Sequence, residues 1–273
     1  MTEQIEKPGA QTQSLLTHSC EILRADFNAV SFDRHFHDTF SIGFVTSGLN
    51  AFSYRGRRVE VPAGAVCIAD PGEVHDGGLM RKPWSYVNIF VPAELFQVIN
   101  SEDGTGGELA FRSGGITHKE SCVRIFKLFE ALFAGNSDQA RIDELAILAF
   151  GHLLRHHAIN CPQTVTHPKM GPIAELAIEI MRDYQGKEVS LALLSTETGV
   201  SRYSVIRAVS SSIGITPVAY MTQLRIERAK RLIWKGMPIA EAALEAGFSD
   251  QSHLTRAMKR RLGITPGQLK LIP

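Results

Sequence analysis

The sequence predicts an α+β protein of two domains: an N-terminal antiparallel β domain carrying a pair of helices, then a C-terminal all-α domain. Three observations predict this. Short apolar segments between residues 40 and 91 are separated by the turn words Thr46-Ser47-Gly48, Arg55-Gly56, Pro62-Ala63-Gly64 and Asp70-Pro71-Gly72, the punctuation of a barrel or sandwich. Near the C-terminus a helix, glycine turn, helix pattern occurs twice. Its turns, Gly199-Val200-Ser201 and Gly247-Phe248-Ser249, lie 48 residues apart, and its closing words, Gly214-Ile215-Thr216-Pro217 and Gly263-Ile264-Thr265-Pro266, lie 49 apart. Charge is also divided: residues 168–273 hold 15 Lys and Arg against 9 Asp and Glu, residues 1–167 hold 14 against 19, and the whole chain is only +1. Phosphate contact by one domain requires such segregation, and a merely solvated basic surface does not predict it.

At 273 residues and 44% hydrophobic, the chain is long enough for two cores. No uninterrupted apolar stretch approaches the roughly 18 to 20 residues of a membrane span, and the start, Met1-Thr2-Glu3-Gln4-Ile5-Glu6, is polar and partly acidic. Neither a span nor a secretory signal is expected, and the cytoplasm is the expected compartment. Cys20, Cys67, Cys122 and Cys161 are scattered without a C-x-x-C pair, so reduced thiols are expected.

In chain order, residues 1–18 are rich in Gln, Thr and Ser and read as a flexible arm. Strands follow at 40–45, 50–54, 57–61, 65–69 and 86–91. His35 and His37 are two apart and share a strand face, and a barrel can bring His75 beside them. Converging neutral imidazoles can hold a transition metal or hydrogen-bond an organic molecule. Which strand face points inward is left open by alternation: His35, His37, Thr39 and Ser41 lie on one side, Phe36, Phe40, Ile42 and Phe44 on the other. Trp84, Tyr86 and Asn88 form a further face that can reach a pocket. Residues 102–115 are glycine-rich and read as a loop. Helix 121–134 places Val123, Phe126, Phe129 and Phe133 at helical spacing, and helix 139–157 does so with Ile142, Leu145, Ala149 and Leu153. Residues 158–170 carry two prolines and read as a linker. The next helix, 172–184, has Ile173, Leu176, Ala177 and Ile180 as its apolar side.

The last stretch, Pro238–Pro266, places Ile239, Ala242, Ala243 and Ala246 on one narrow helical face. Gly247 supplies the sharp turn, and Ser249 or Asp250 caps the second helix, which turns Leu254, Ala257, Met258 and Leu262 inward and Gln251, Ser252, His253, Thr255 and Arg256 outward. A polar face on a second helix after a tight turn reads as a helix-turn-helix entering a DNA major groove.

On the words A-G-F-S-D-Q-S-H-L-T-R-A-M-K-R-R-L-G-I-T-P, the connecting L-R-I-E-R-A-K-R-L-I and the paired endings, the C-terminal region resembles the DNA-binding domain of AraC/XylS-family transcription regulators. H-F-H-D-T-F-S-I-G-F-V-T-S-G, Y-R-G-R and P-A-G-A-V-C-I-A-D-P-G-E-V-H-D-G resemble the cupin-like antiparallel β-barrel that senses effectors in such regulators. The resemblance implies a cupin-like effector-binding and dimerisation domain over 19–157 and a DNA-binding domain over 171–273. Its two helix-turn-helix motifs are joined by a long helix, 218–235, with Tyr220, Met221, Leu224, Ala229, Leu232 and Ile233 inward. Carried over by the turn and the arginine, Arg202, Tyr203, Ile206 and Arg207 face DNA in the first motif, and Gln251, Ser252, His253, Thr255 and Arg256 in the second. Two departures mark the first copy: apolar Ile206 replaces a polar reader, and Val209-Ser210 replaces an aromatic-basic pair. In metal-binding cupins a glutamate follows the H-x-H pair, whereas Ser41 and Ile42 stand here. That argues against a metal on His35, His37 and His75 and for effector binding by His35, His37, Ser41, His75 and Tyr86.

The combined reading is a one-component, effector-responsive regulator with no catalytic residues and no cofactor. Its expected partners are double-stranded promoter DNA, a small effector, a second copy of itself through the helices of 119–157, and RNA polymerase. The alternatives are a cupin metalloenzyme with a DNA-binding appendage and a constitutive regulator whose barrel only dimerises.

Overall fold

Side chains that alternate between two buried surfaces build the N-terminal half as strands. The computed structural model describes residues 9–28, 31–77, 82–101, 108–134, 138–161, 170–183 and 189–270. It divides into two units, one of residues 1–31 and 37–164, the other of 32–36 and 165–273. The strands are β1 (Gly9–Leu15), β2 (His18–Phe27), β3 (Phe32–His35), β4 (Phe40–Ser47), β5 (Leu49–Tyr54), β6 (Arg57–Pro62), β7 (Val66–Ala69), β8 (His75–Gly77) and β9 (Trp84–Val91). Then come α1 (Ala93–Ser101), β10 (Glu108–Phe111), β11 (Gly115–Ile116), α2 (Lys119–Phe133), α3 (Gln139–His157) and β12 (Ala158–Cys161).

In the first unit a six-stranded sheet runs β1-β2-β9-β4-β7-β11, a second sheet joins β8, β5 and β6, and β10 pairs with β12. The pairings within this unit are antiparallel. One face of β4 packs on helices: the Phe40 ring lies 4.8 Å from Phe96 of α1, and Phe44 lies 5.3 Å from Phe126 of α2. Phe40, Phe44 and Phe96, together with Ile42, Ile68, Ile89, Leu128 and Phe150, belong to the core of the unit. The face left open by alternation is thereby decided. Phe40, Ile42 and Phe44 serve the helices, and the Ser41 and Gly43 side belongs to the barrel interior.

Several expectations need correction. Residues 9–15, expected in a flexible arm, form β1, because a seven-residue ladder to β2 satisfies their backbone and Leu15 is fully buried. Leu16 N donates to Asp143 Oδ1 at 2.9 Å and Gln139 Nε2 to the Ser14 carbonyl at 2.8 Å, which pins this strand to α3. Residues 1–8 lie outside the described residues. The expected linker begins as β12 over 158–161, and its 162–169 portion lies outside the described residues, as does 102–107 of the glycine-rich loop. Residues 108–111 and 115–116 of that loop are strands, and α1 has no counterpart among the expected elements. Helix α2 buries Cys122, Ile125, Leu128, Phe129 and Leu132, and leaves Val123 and Phe126 exposed. It is apolar on two faces, so periodicity alone does not choose between them.

The second unit contains α4 (Pro172–Asp183), α5 (Leu191–Thr198), α6 (Arg202–Ile213), α7 (Pro217–Trp234), α8 (Ile239–Glu245) and α9 (Gln251–Leu262). Each of α5, α6, α7 and α9 starts on a side-chain cap: Ser190, Ser201, Thr216 and Asp250 accept from backbone N–H groups three residues on. In α4 the buried residues are Ala174, Ala177, Ile178 and Met181, one step out of phase with the expected stripe, and Leu176 is exposed. Small alanines fit where α4 meets its neighbours, and a larger leucine does not set the phase. In α7, Leu232 is only half-buried, while Gln223, Ile226 and Lys230 are buried beyond expectation. Glu227 makes that burial tolerable by accepting from Gln223 Nε2 at 3.1 Å and from Lys230 Nζ at 3.0 Å. The segment 32–36 packs here as well: Arg34 Nη1 donates to the Gly214 carbonyl at 3.0 Å, and Phe36 stacks on Tyr220 at 5.0 Å.

Candidate functional site

Two surfaces carry the chemistry, one on the helices of the second unit and one inside the first. The helical surface is built by backbone hydrogen bonds that close each turn. After α8 the Gly247 N–H donates to Leu244 O and the Phe248 N–H to Ala243 O, both at 2.9 Å, with Gly247 at φ +87°. This is a Schellman closure, and it needs a residue that tolerates left-handed geometry. Phe248 is then buried, and the Asp250 carboxylate caps α9 by accepting from His253 N at 2.7 Å. Asp250 has a pKa below the usual carboxylate range, chiefly through this backbone bond, so the cap is ionised at neutral pH.

On α9, Leu254, Ala257, Met258, Arg261 and Leu262 are buried, and Gln251, Ser252, His253 and Arg256 are exposed. Thr255 is half-buried and its hydroxyl donates to the Gln251 carbonyl at 2.8 Å. His253 is held in place by Phe248, 5.1 Å away edge to face, and by the Ser249 hydroxyl at 3.2 Å. On α6, Val205 and Val209 are buried, Arg202, Tyr203 and Arg207 are exposed, and Ile206 is half-buried. Tyr203 is 73% exposed, the most open of the large apolar side chains described. Val209 faces the core, so replacing an aromatic there does not alter the outer face. All nine side chains expected on the DNA-facing surface therefore lie on outer faces of α6 and α9, with Ile206 and Thr255 partly sheltered.

The inner face of the six-stranded sheet has a different chemistry. Gly43 lies opposite Asn88 on one side and Cys67 on the other. Ser41 Oγ donates to Asn88 Oδ1 at 3.1 Å, and the Asn50 amide bonds the Cys67 thiol from the facing sheet. Burial pushes that thiol up to about 11, so it is a neutral lining group and no nucleophile. Phe27, Trp84 and Tyr86 form one aromatic group with centroids 4.8 to 5.7 Å apart. Burial, then the neighbouring Cys67 and Glu21, hold the Tyr86 phenol protonated.

Of the three candidate histidines, His37 and His75 meet in the first unit with ring centroids 5.2 Å apart, and His37 also packs on Phe90 at 4.6 Å. His75 Nδ1 lies 3.0 Å from the Glu73 carbonyl, and burial depresses its pKa, so its ring is held neutral. His35 belongs to the segment 32–36, buried, with Nδ1 2.8 Å from the Asp33 carbonyl. Where a cupin glutamate would supply an anionic ligand, Ser41 is engaged with Asn88, and Ile42 is buried toward the helices. Sequence reasoning missed Asn50 and Cys67. A lone asparagine within the apolar segment Leu49–Tyr54 is the signal that could have found the first. It also missed Asp70, which accepts from Tyr54, Arg55 and the Phe111 N–H and so ties the turn after β7 to β10.

Comparison with known proteins follows the same division. An AraC-like ligand binding domain profile matches residues 18–150, and a helix-turn-helix domain profile matches residues 194–271. An uncharacterised HTH-type transcriptional regulator of Bacillus subtilis, YbfI, is 28% identical over 224 residues, 82% of this chain and 81% of its own. The HTH-type transcriptional activator RhaS of Yersinia pestis is 23% identical over 88% of this chain and 89% of its own. Among solved structures, unsaturated-fatty-acid-bound ToxT from Vibrio cholerae superposes with a TM-score of 0.58 over 98% of this chain and 99% of that one, at 11% identity, a likeness of fold.

Proposed function

The chain belongs to the AraC-type transcription regulators, an AraC-like ligand-binding domain joined to a helix-turn-helix DNA-binding domain, and from that premise we propose how its residues divide the work. Helices α6 and α9 read DNA, with Arg207 and Arg256 directed to guanine or phosphate and Arg202, Tyr203, Ile206, Gln251, Ser252, His253 and Thr255 completing the two surfaces. The observation that carries this is the pair of side-chain-capped helices, each holding an exposed arginine six residues after its cap, Arg207 after Ser201 and Arg256 after Asp250. Between them runs α7, 18 residues and about 27 Å long, which joins the two motifs.

The inner face of the first unit takes the effector, with Ser41 and Tyr86 as lining residues and His37 and His75 at one end. The helix faces that expose Val123 and Phe126 on α2 and Ile147 and Leu148 on α3 suit a homodimer, which would tie two DNA-binding units together and raise affinity through effective concentration. The reading assigns no catalytic role and no metal cofactor. A protein with this partner works in the cytoplasm, where promoter DNA and RNA polymerase are. Among the described residues no helix is long and apolar enough to cross a membrane.

Fluorescence anisotropy tests the reading: purified full-length protein is titrated onto DNA from upstream of its own gene and neighbouring genes, and onto scrambled DNA at the same salt. Binding of one fragment about a thousandfold tighter than scrambled DNA is expected. Equal, salt-sensitive binding to every fragment, unchanged by any small molecule that the first unit binds, would sink it.

A further inference from the structure

Protein interiors leave few buried polar atoms unbonded, and two such atoms in the first unit belong to facing sheets, one on β5 and one on β9. Asn50 is 6% exposed and Asn88 1%. Each amide spends one end on the protein: Asn88 Oδ1 accepts from Ser41 Oγ at 3.1 Å, and Asn50 bonds the Cys67 sulfur. The other end of each, Asn50 Oδ1 and Asn88 Nδ2, is buried with no hydrogen-bond partner. Asn88 lies beside Gly43, and Asn50 reaches the same place through its bond to Cys67. A Cβ there would lie 2.6 Å from Cys67 Sγ, 2.9 Å from Asn88 Oδ1 and 3.0 Å from Tyr86 Cδ2. Glycine is thus what lets the thiol, the amide and the aromatic ring all approach this point of β4.

We propose that the effector of this unit is an uncharged molecule carrying a hydroxyl group that donates to Asn50 Oδ1 and accepts from Asn88 Nδ2, with its carbon skeleton against Tyr86. The proposal rests on the reading of the first unit as the effector-binding unit. Its chemistry follows from the pairing of one free acceptor with one free donor. A carboxylate or phosphate would satisfy Asn88 Nδ2 and set a second acceptor against Asn50 Oδ1; an ammonium would do the reverse. A hydroxyl offers one donor and two lone pairs, and satisfies both. The surrounding side chains, Ser41, Cys67 and Tyr86, are neutral, and none supplies the cation that an anionic effector would need once desolvated.

The test uses the full-length protein and two matched series of probes: benzyl alcohol, benzoate and benzylamine; and glucitol, gluconate and glucamine. Thermal unfolding is followed with each probe at about 50 mM, high enough to register a millimolar site by mass action. An alcohol is expected to raise Tm while its acid and amine counterparts do not. Asn50→Leu, and Asn88→Leu combined with Ser41→Ala, are expected to abolish that shift while the cooperative unfolding transition is kept. The proposal is overturned by an acid or amine that shifts Tm as much as its alcohol, by no alcohol shifting Tm, or by a folded variant that keeps the full alcohol shift. The DNA anisotropy assay, run with the same probes, separates this from the wider reading. An alcohol that binds but leaves DNA affinity unchanged upholds the chemistry and removes the switch. An anion that changes DNA affinity upholds the switch and removes the chemistry.

Discussion

The two helix-turn-helix copies share a scaffold and differ on the surface they show. Both open on a capped helix, Ser201 for α6 and Asp250 for α9, and both end on a left-handed glycine, Gly214 and Gly263. The outer face of α9 is polar, and its last turn adds positive charge through Lys259 and Arg260, both exposed. The outer face of α6 offers Tyr203 and Ile206 between its two arginines, and its last turn has no basic residue. A scaffold held by caps and buried valines or leucines leaves the exposed positions free to diverge. The second copy is thereby suited to phosphates and hydrogen-bonding base edges, the first to apolar edges such as the thymine methyl.

Removing the matching arginines should separate the two copies most. Arg256→Ala should weaken specific DNA binding by about 1 to 3 kcal/mol, the value of a bidentate base contact, and relax preference at one base pair. Arg207→Ala should cost less if the first copy relies on apolar readout. Anisotropy on wild-type and base-substituted sites checks both, and equal losses would show that the copies are not divided in this way. In the turns, Gly247→Ala should destabilise the second unit more than Gly199→Ala. Both positions have positive φ, a strain of about 1 to 2 kcal/mol, but only at Gly247 would the new Cβ press on another side chain, Arg225 Nε at 3.2 Å. Urea titration followed by circular dichroism ranks them, and the reverse order would refute the crowding argument.

The caps supply a smaller contrast. Ser201→Ala should cost about 1 kcal/mol of stability. Asp250→Ala should also lower the urea midpoint, and the aspartate variant alone should lose its penalty in acid, where the wild-type cap is itself protonated. The smallest expected effect separates the two units by pH. In the first unit, burial, before any neighbouring charge, depresses the pKa of His75, His152 and His157 below their ordinary 6.5. Around His152 the charges of His156, His118 and Arg124 act with burial, and Glu120 acts against it. The unfolded chain therefore takes up protons that the folded unit refuses, and stability falls as pH drops below about 6.5. In the second unit the depressed carboxylate is Asp250, whose contribution is lost only as pH falls below its ordinary 3.8. Two unfolding transitions, of which only the first shifts between pH 7 and 5, are expected in calorimetry. Equal shifts in both would contradict the assignment.

The outward side chains of α6 and α9 were legible because their signals are local. The turn words Gly199-Val200-Ser201 and Gly247-Phe248-Ser249 specify a glycine that must adopt positive φ and a polar cap that must follow it, and counting from those points places each exposed residue. The strands β4, β5, β6, β7 and β9 were legible for the same reason, from their turns. Local preferences could not say which of two apolar stripes α2 would bury, or that α4 would turn Ala174 and Ile178 inward in place of Ile173 and Leu176. Nor could they make a strand of residues 9–15, whose pairing partner is β2 and whose clamps, Asp143 and Gln139, lie more than a hundred residues away. The inner face of the barrel was half visible. Ser41, Tyr86 and Asn88 could be placed on strand faces, but Asn50 and Cys67 reach them from other strands. Caps and glycine turns depend on the few bonds around them, whereas the choice of buried face and the bond from Asn50 to Cys67 depend on what distant segments bring against them, and that is set only when the chain is packed.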